Sequence, residues 1–307
     1  KYKNRSTGVA STAGKYASAF ALGAMVLDDF YPGYTDDLPQ RAMDAYQYGE
    51  ENPGVSQTAP GGAPYFYEED NWVDDMEFAA SSLYKLTQNE HYKEKALQYA
   101  SEEKTTPWIG RDTVVHYQYY PFLNAGHNEL ASALNAEEKK AVASYYDMGL
   151  KLLHDRGKDN PFYMGVPFVW CSNNFVTAAV TQCKLYYRLT GDRTYLEMEA
   201  ALRDWLFGCN IWGTSMIVGL PEHGDTPIDP HSSLNLLEGY QTDGGLVDGP
   251  VYGSIANSLI GVKLYDEDEY AAFQSDLVVY QDDAGSFSTN EPTMDGTASL
   301  VYYLSSM

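Results

Sequence analysis

One acid near the end of the chain stands where a proton transfer is readily built. Glu291 lies in Phe287-Ser288-Thr289-Asn290-Glu291-Pro292. The proline disfavours helical backbone at the residue before it, so Glu291 is expected on a loop. A carboxylic acid on a loop held by a rigid scaffold can protonate a leaving group if its surroundings raise its pKa. Asp282 and Asp283 precede it, and a nearby carboxylate raises an acid's pKa, so the pair is a candidate support. Turn formation around Ala284-Gly285-Ser286 is the alternative use of the same two residues. Read from its own segment alone, Glu291 is most simply a solvated surface acid.

Three other clusters carry candidates. Trp170-Cys171-Ser172-Asn173-Asn174 sits at a loop-to-helix junction, where Trp170 is either a core ring or a ring offered to a ligand. His116-Tyr117-Gln118-Tyr119-Tyr120 is an aromatic block on a loop. It is a packing patch or, through His116 and Tyr117, a platform along a cleft. Asp70-Asn71-Trp72-Val73-Asp74-Asp75 opens a helix, where acids complement the helix dipole.

Composition narrows what these residues could serve. The net charge of −23 repels phosphates and anionic lipid, which argues against nucleic acid and membrane surfaces and suits a neutral polymer. The 27 tyrosines supply rings with an apolar face and a polar tip, the geometry of a sugar's complement, although helix packing accounts for most of them. No run of 18 apolar residues spans a membrane, and no export signal is visible at the start of the chain. Three cysteines, Cys171, Cys183 and Cys209, are too few and wrongly spaced for a disulfide framework or a zinc site, and all three read as buried small hydrophobes.

The elements that must position these residues read as helices. Residues 11–27 are rich in Ala and Gly and predict a closely packed helix; 38–50, with Pro39 in its first turn, predict a second. Residues 72–86 carry Met76, Ala79, Ala80 and Leu83 at helical spacing, and 91–102 follow. The segment ending Leu86-Thr87 before Tyr92 matches the one ending Leu189-Thr190 before Tyr195. In both, a helix ends at Leu-Thr, a polar turn follows and a Tyr starts the next helix, so one αα-hairpin is used twice. Residues 121–134 and 136–155 predict a third, and 297–304 a closing helix. Repeated hairpins separated by long loops suggest a ring of helices with its loops gathered at one end; a helical solenoid used as an interaction scaffold predicts the same hairpins. The long loops are 52–71, 103–120, 157–170, 209–252 and 281–295, and the 209–252 loop exceeds ordinary connection lengths.

Several of these stretches together resemble one family. The stretch 280–304, then Asp204-Trp205-Leu206-Phe207-Gly208-Cys209-Asn210-Ile211-Trp212-Gly213-Thr214-Ser215-Met216, Pro230-His231, and Gly244-Gly245-Leu246-Val247-Asp248-Gly249-Pro250-Val251-Tyr252-Gly253 are similar in content and order to glycoside hydrolase family nine, the cellulase family. The resemblance implies an all-α fold, an (α/α)6 barrel of antiparallel helix hairpins, with residues 1–307 forming the C-terminal portion of a single catalytic domain whose N-terminal helices lie outside this sequence. It implies that Glu291, the Glu of the Asn-Glu pair, is the proton donor. It implies a sugar-stacking role for Trp170 and sugar hydroxyl contacts for Asn174 and His231. The family commonly places an Arg just after that His, and here Ser232 and Ser233 follow instead. It also implies a structural calcium near Asp70, Asp74 and Asp75, since calcium prefers oxygen ligands; the family Asp that completes that site finds no counterpart within 116–126. No cofactor is required for the chemistry.

The family's general base comes from an Asp-x-x-Asp motif upstream of everything matched here. Inverting glycosidases hold two carboxyl groups about 6.5–9.5 Å apart with water between them, so the base aspartate is expected outside this sequence, on an N-terminal remainder of the domain. The expected activity is hydrolysis of β-1,4-glucosidic bonds in cellulose-like β-glucans with inversion. Xyloglucan, mixed-linkage glucan and exo-acting cellodextrin cleavage are the alternatives among enzymes, and a non-catalytic carbohydrate-binding remnant is the alternative outside them. The resemblance implies a secreted, periplasmic or cell-surface location.

Overall fold

The computed structural model describes residues 5–57, 69–115, 117–259 and 261–307. Helices dominate: α1 (Ala10–Leu27), α2 (Leu38–Glu51), α3 (Val73–Thr87), α4 (Glu90–Glu102), α5 (Gly126–Ala133), α6 (Ala136–Gly157), α7 (Ser172–Thr190), α8 (Leu196–Leu206), the short α9 (Ser233–Glu238) and α10 (Gly253–Ala256), and the closing α11 (Met294–Leu304). One two-stranded ribbon pairs β1 (Val251–Tyr252) with β2 (Val278–Val279), antiparallel, with Val251 opposite Val279. The chain divides into two compact units. The first comprises Lys1–Trp108, Tyr117–Gly149 and Arg188–Gly191, and the second Ile109–His116, Leu150–Tyr187 and Asp192–Met307.

In the first unit α1, α2, α3, α4 and α5 share a core of Tyr46, Met76, Leu83 and Leu130 set among alanines at positions 17, 21, 42, 79, 80, 96 and 100. Burying each large side chain contributes about 1.5–3 kcal/mol, and the alanines between them let helix axes approach. The approach of α1 to α3 is close enough to require glycine: a Cβ on Gly14 would lie 2.7 Å from the Asp75 carbonyl. The predicted hairpin turn is local. Thr87 ends α3, Gln88 takes the left-handed conformation (φ 57°), and Asn89 caps α4 by accepting the His91 N–H at 3.1 Å. A helix predicted from residue 121 starts only at Gly126. The reason is Asn124, whose amide donates to Glu77 at 3.0 Å and whose carbonyl accepts the Tyr146 hydroxyl at 2.6 Å, so the segment before α5 is held as a turn.

The second unit is built on α7, which is buried along most of its length, and on α8, which buries Met198, Leu202, Trp205 and Leu206. The Tyr that was expected to start the next helix, Tyr195, is its N-cap residue. Trp205 packs edge-on against Trp212, and Trp212 against Tyr280, so three aromatic rings tie α8 to the segment that leads into Glu291. The long 209–252 segment is ordered by backbone bonds from Met216 N–H to the Leu206 carbonyl and from Val247 N–H to the Met216 carbonyl, 2.9 and 3.0 Å. At the far end, α11 buries Leu300 and Tyr303, and the Tyr303 hydroxyl bonds Glu199 on α8. Among the described residues no helix is long and apolar enough to cross a membrane.

Candidate active site

Glu291 sits on a loop, as Pro292 requires, and its backbone is pinned on both sides. The Asp248 N–H donates to the Glu291 carbonyl at 3.0 Å, Gly249 N–H to Thr289 at 3.0 Å, and Thr293 N–H to Leu246 at 3.1 Å. The 246–249 segment thus runs alongside 289–293 and holds it straight. Gly249 itself is required here, because with φ 89° a Cβ would fall 2.4 Å from the Asn173 side chain. Asn290 is fully buried beneath. Its amide donates to Asp282 Oδ1 at 2.7 Å and to the Asp229 carbonyl at 2.8 Å, and its Oδ1 accepts the Tyr280 hydroxyl at 3.2 Å. Every polar atom of that side chain is thereby used to place the residue before the acid.

The Glu291 carboxyl is open to solvent, yet enough protein crowds it for partial desolvation to raise its pKa. Asp295, on the first turn of α11, raises it further, while His231 opposes both. The supporting charge is therefore Asp295. Asp283 spends Oδ2 on the Tyr265 and Asp266 N–H groups, at 2.8 and 3.0 Å, and so organises a turn. Asp282 accepts the Ile228 N–H at 2.7 Å as well as Asn290; burial pushes its carboxyl up to about 6 against those bonds.

Three rings stand in a row beside this acid. Trp170 packs on Phe287 with centroids 5.6 Å apart, and His231 on the same Phe287 at 6.1 Å. The His231 Nδ1 donates to the Ala284 carbonyl at 2.6 Å, which leaves Nε2 as its other ring nitrogen. Trp170 and His231 are half-buried, as rings that meet a ligand must be. Asn174 is buried on the first turn of α7 and donates to Asp295 at 3.2 Å; it reaches the Glu291 surroundings through that carboxylate instead of opening its amide to solvent. Tyr117 belongs to the first unit, in a left-handed backbone conformation (φ 60°), its ring packed on Tyr120 and Phe122. His116 lies outside the described residues.

Three residues of this site escaped sequence reasoning. Phe287, the hub of the ring row, carried a signal in being the only aromatic residue between Tyr280 and Glu291. Asp295 was visible one helical turn after the acid. Asp248 was quoted above only as part of a motif. A lone acid inside Leu246-Val247-Asp248-Gly249-Pro250 invites the question of what pairs with it. Trp170 Nε1 donates to its Oδ2 at 2.9 Å and the Cys171 thiol to its Oδ1 at 3.1 Å.

The acids expected to hold calcium face different partners in the first unit. Asp70 Oδ2 accepts the Gln118 amide at 2.9 Å, Asp74 Oδ1 the Asn71 amide at 2.8 Å, and Asp75 the Lys15 ammonium at 2.8 Å. Lys15 also reaches Glu69 at 2.9 Å. As placed, the three aspartates do not converge as an ion's donor set, and no group of three His, Cys, Asp or Glu side chains does so among the described residues. Cys209 is exposed, contrary to the expectation that all three thiols are buried, because it lies past the end of α8 where the chain turns outward through Gly208 (φ 107°).

Known proteins resemble the chain over most of its length. The chain is 24% identical over 303 residues to the xyloglucan-specific endo-beta-1,4-glucanase of Bacteroides ovatus, covering 91% of this chain and 48% of that protein. It is 25% identical over 313 residues to a cellodextrinase of Butyrivibrio fibrisolvens, covering 94% of this chain and 54% of that protein. It thus spans about half the length of the curated relatives it matches. Among solved structures, the endoglucanase J30 of family 9 superposes with a TM-score of 0.73 at 22% identity, over 96% of this chain and 54% of that one. That likeness shows the fold class, the all-α (α/α)6 barrel type expected from the sequence. The model of the family described as Glycosyl hydrolase family 9 matches residues 1–304, which leaves almost nothing of the sequence outside it, and the chain therefore belongs to glycosyl hydrolase family 9.

Proposed function

We propose that the protein carrying this chain hydrolyses β-1,4-glucosidic bonds in cellulose-like or related β-glucans with inversion of configuration. Glu291 is the general acid that protonates the leaving glycosidic oxygen, and an aspartate outside this sequence activates water as the base. The observation that carries the reading is the Glu291 carboxyl: a solvent-reachable acid with a raised pKa, on a backbone pinned from both sides, next to a row of three rings. A raised pKa keeps the proton in place at the pH where it must be given up. Trp170 offers its face to a sugar ring, and His231 offers a ring nitrogen to a hydroxyl. No cofactor takes part in this chemistry, and the acidic surface suits a neutral polysaccharide outside the cytoplasm.

The names of the two relatives favour two narrower readings, xyloglucan as substrate and cleavage of cellodextrins. Product analysis on xyloglucan, unbranched β-glucan and cellodextrins separates them.

The deciding experiment is Glu291→Gln in the intact protein. Loss of the transferable proton lowers kcat on unactivated glucan by a factor on the order of 10²–10⁴. An aryl glycoside with a good leaving group needs little protonation and loses far less, and oligosaccharide binding is nearly unchanged. Equal losses on both substrates would remove Glu291 from the acid role. Glucan binding without hydrolysis in the unaltered intact protein would identify a carbohydrate-binding remnant.

A further inference from the structure

We propose that Asp248 is a positioning residue that fixes the plane of the Trp170 indole and so sets how tightly the protein holds its glucan. The proposal rests on the reading of Trp170 as a sugar platform, and the experiment below separates the two.

Asp248 is fully buried, where an unpaired acid is costly. Both of its oxygens meet a donor from consecutive residues: the Trp170 indole N–H at 2.9 Å on Oδ2 and the Cys171 thiol at 3.1 Å on Oδ1. Its own backbone is committed on both sides, N–H to the Glu291 carbonyl and C=O to the Asn173 N–H, each at 3.0 Å. One residue therefore joins the edge of the indole to the main chain of the acid. The face of the same indole rests on Phe287, tilted by 30°. A ring held at its face by stacking and at its edge by a hydrogen bond loses its freedom to swing. A platform of this kind binds a sugar without first having to be ordered. The backbone gives the arrangement its geometry. Cys171 adopts the left-handed conformation (φ 61°), uncommon for a residue with a side chain, and persists there because Asp248 and the start of α7 fix it from both directions. Burial also keeps the Cys171 thiol protonated, so it acts as a donor to the carboxyl.

A purely structural Asp248 would hold the loop and have no special relation to the ring. A double-mutant cycle distinguishes the two. Binding of cellotetraose is measured by calorimetry in the intact protein carrying Glu291→Gln, which prevents turnover; kcat and KM are measured with Glu291 in place. Trp170→Ala is expected to weaken binding more than tenfold. Asp248→Ala is expected to weaken it about tenfold and to raise KM while kcat falls less than threefold. Asp248→Asn, whose amide oxygen still accepts the indole N–H, is expected to bind within twofold of the unaltered protein. Adding Asp248→Ala to Trp170→Ala is expected to cost less than a further twofold. If the two losses multiply, or if Asp248→Ala binds normally, the proposal is overturned while the platform stands. If Trp170→Ala itself binds normally, the platform reading falls and takes the proposal with it. Should Asp248→Ala not fold, Trp170→Phe asks the same question from the other partner, since it keeps a ring and removes the N–H; normal binding by that variant overturns the proposal.

Discussion

Asn290 donates its side-chain amide to Asp282 Oδ1 at 2.7 Å, and the next residue in the chain is Glu291. The bond joins residues eight positions apart and fastens the acid's loop to the second unit. Asn290→Ala leaves a buried carboxyl oxygen and the Asp229 carbonyl each short of a donor. The expected cost is about 1–3 kcal/mol of stability, with a fall in kcat and little change in glucan affinity. Thermal denaturation and steady-state kinetics check both, and unchanged kcat in a folded variant would show that Glu291 is placed without this bond.

Asp295 raises the Glu291 pKa and His231 lowers it. A general acid must be protonated to act, so the alkaline limb of the pH–rate profile reports its pKa. Asp295→Asn removes a negative neighbour, and the alkaline limb of kcat/KM is expected to move toward lower pH. A limb that stays in place would mean that another group titrates it.

Lys15 neutralises Asp75 and Glu69 from α1, and although burial opposes its charge the two carboxylates hold its pKa above the usual lysine value. Removing one partner of a buried pair strands the other. Because the Lys15 side chain remains 30% exposed, Lys15→Met is expected to cost less than the fully buried case, about 1–3 kcal/mol. With a resident ammonium in this place, EDTA is expected to leave the melting temperature of the unaltered protein where it was. A drop of several degrees on chelation would instead support a structural calcium.

The carboxyls of Asp74, Asp75 and Glu103 are all raised in the folded first unit, chiefly by burial, Asp74 to about 7, although the Lys15 ammonium opposes the rise in Asp74 and Asp75. Between an unfolded value near 3.8 and about 7, the folded state keeps a proton on Asp74 that the unfolded chain has released. Stability from this group therefore falls as pH rises through that window and levels off above it. Melting temperatures are expected to decline from pH 5 to pH 7, and Asp74→Asn is expected to flatten part of the decline. An equal slope in both proteins would remove Asp74 from the account.

Most helices were legible because their signals are local. The turn after Leu86-Thr87 is written in Gln88 and Asn89, one able to enter the left-handed region and one able to cap, and α3 and α4 form within a residue or two of their predicted ends. The loop position of Glu291 was written in Pro292. The ring row was not legible, because Trp170 and His231 meet through Phe287, and nothing near Trp170 announces a partner more than a hundred residues away. The same holds for Asp248, whose donors lie 78 and 77 positions upstream. Asn174 carries the expectation of a sugar-hydroxyl contact; that α7 is buried at this point depends on α11 and the 246–250 segment closing over it, which periodicity does not record.

The three thiols of the chain differ in one respect that has a practical use. Burial shields Cys171 and Cys183 and keeps them from ionising, whereas Cys209 stands in solvent just beyond α8. Of the thiols in this chain, a maleimide dye would thus find one address in the folded state. It would couple to the short segment between Trp205 and Trp212, and energy transfer from those indoles would report ligand-induced changes there without a single substitution in the chain.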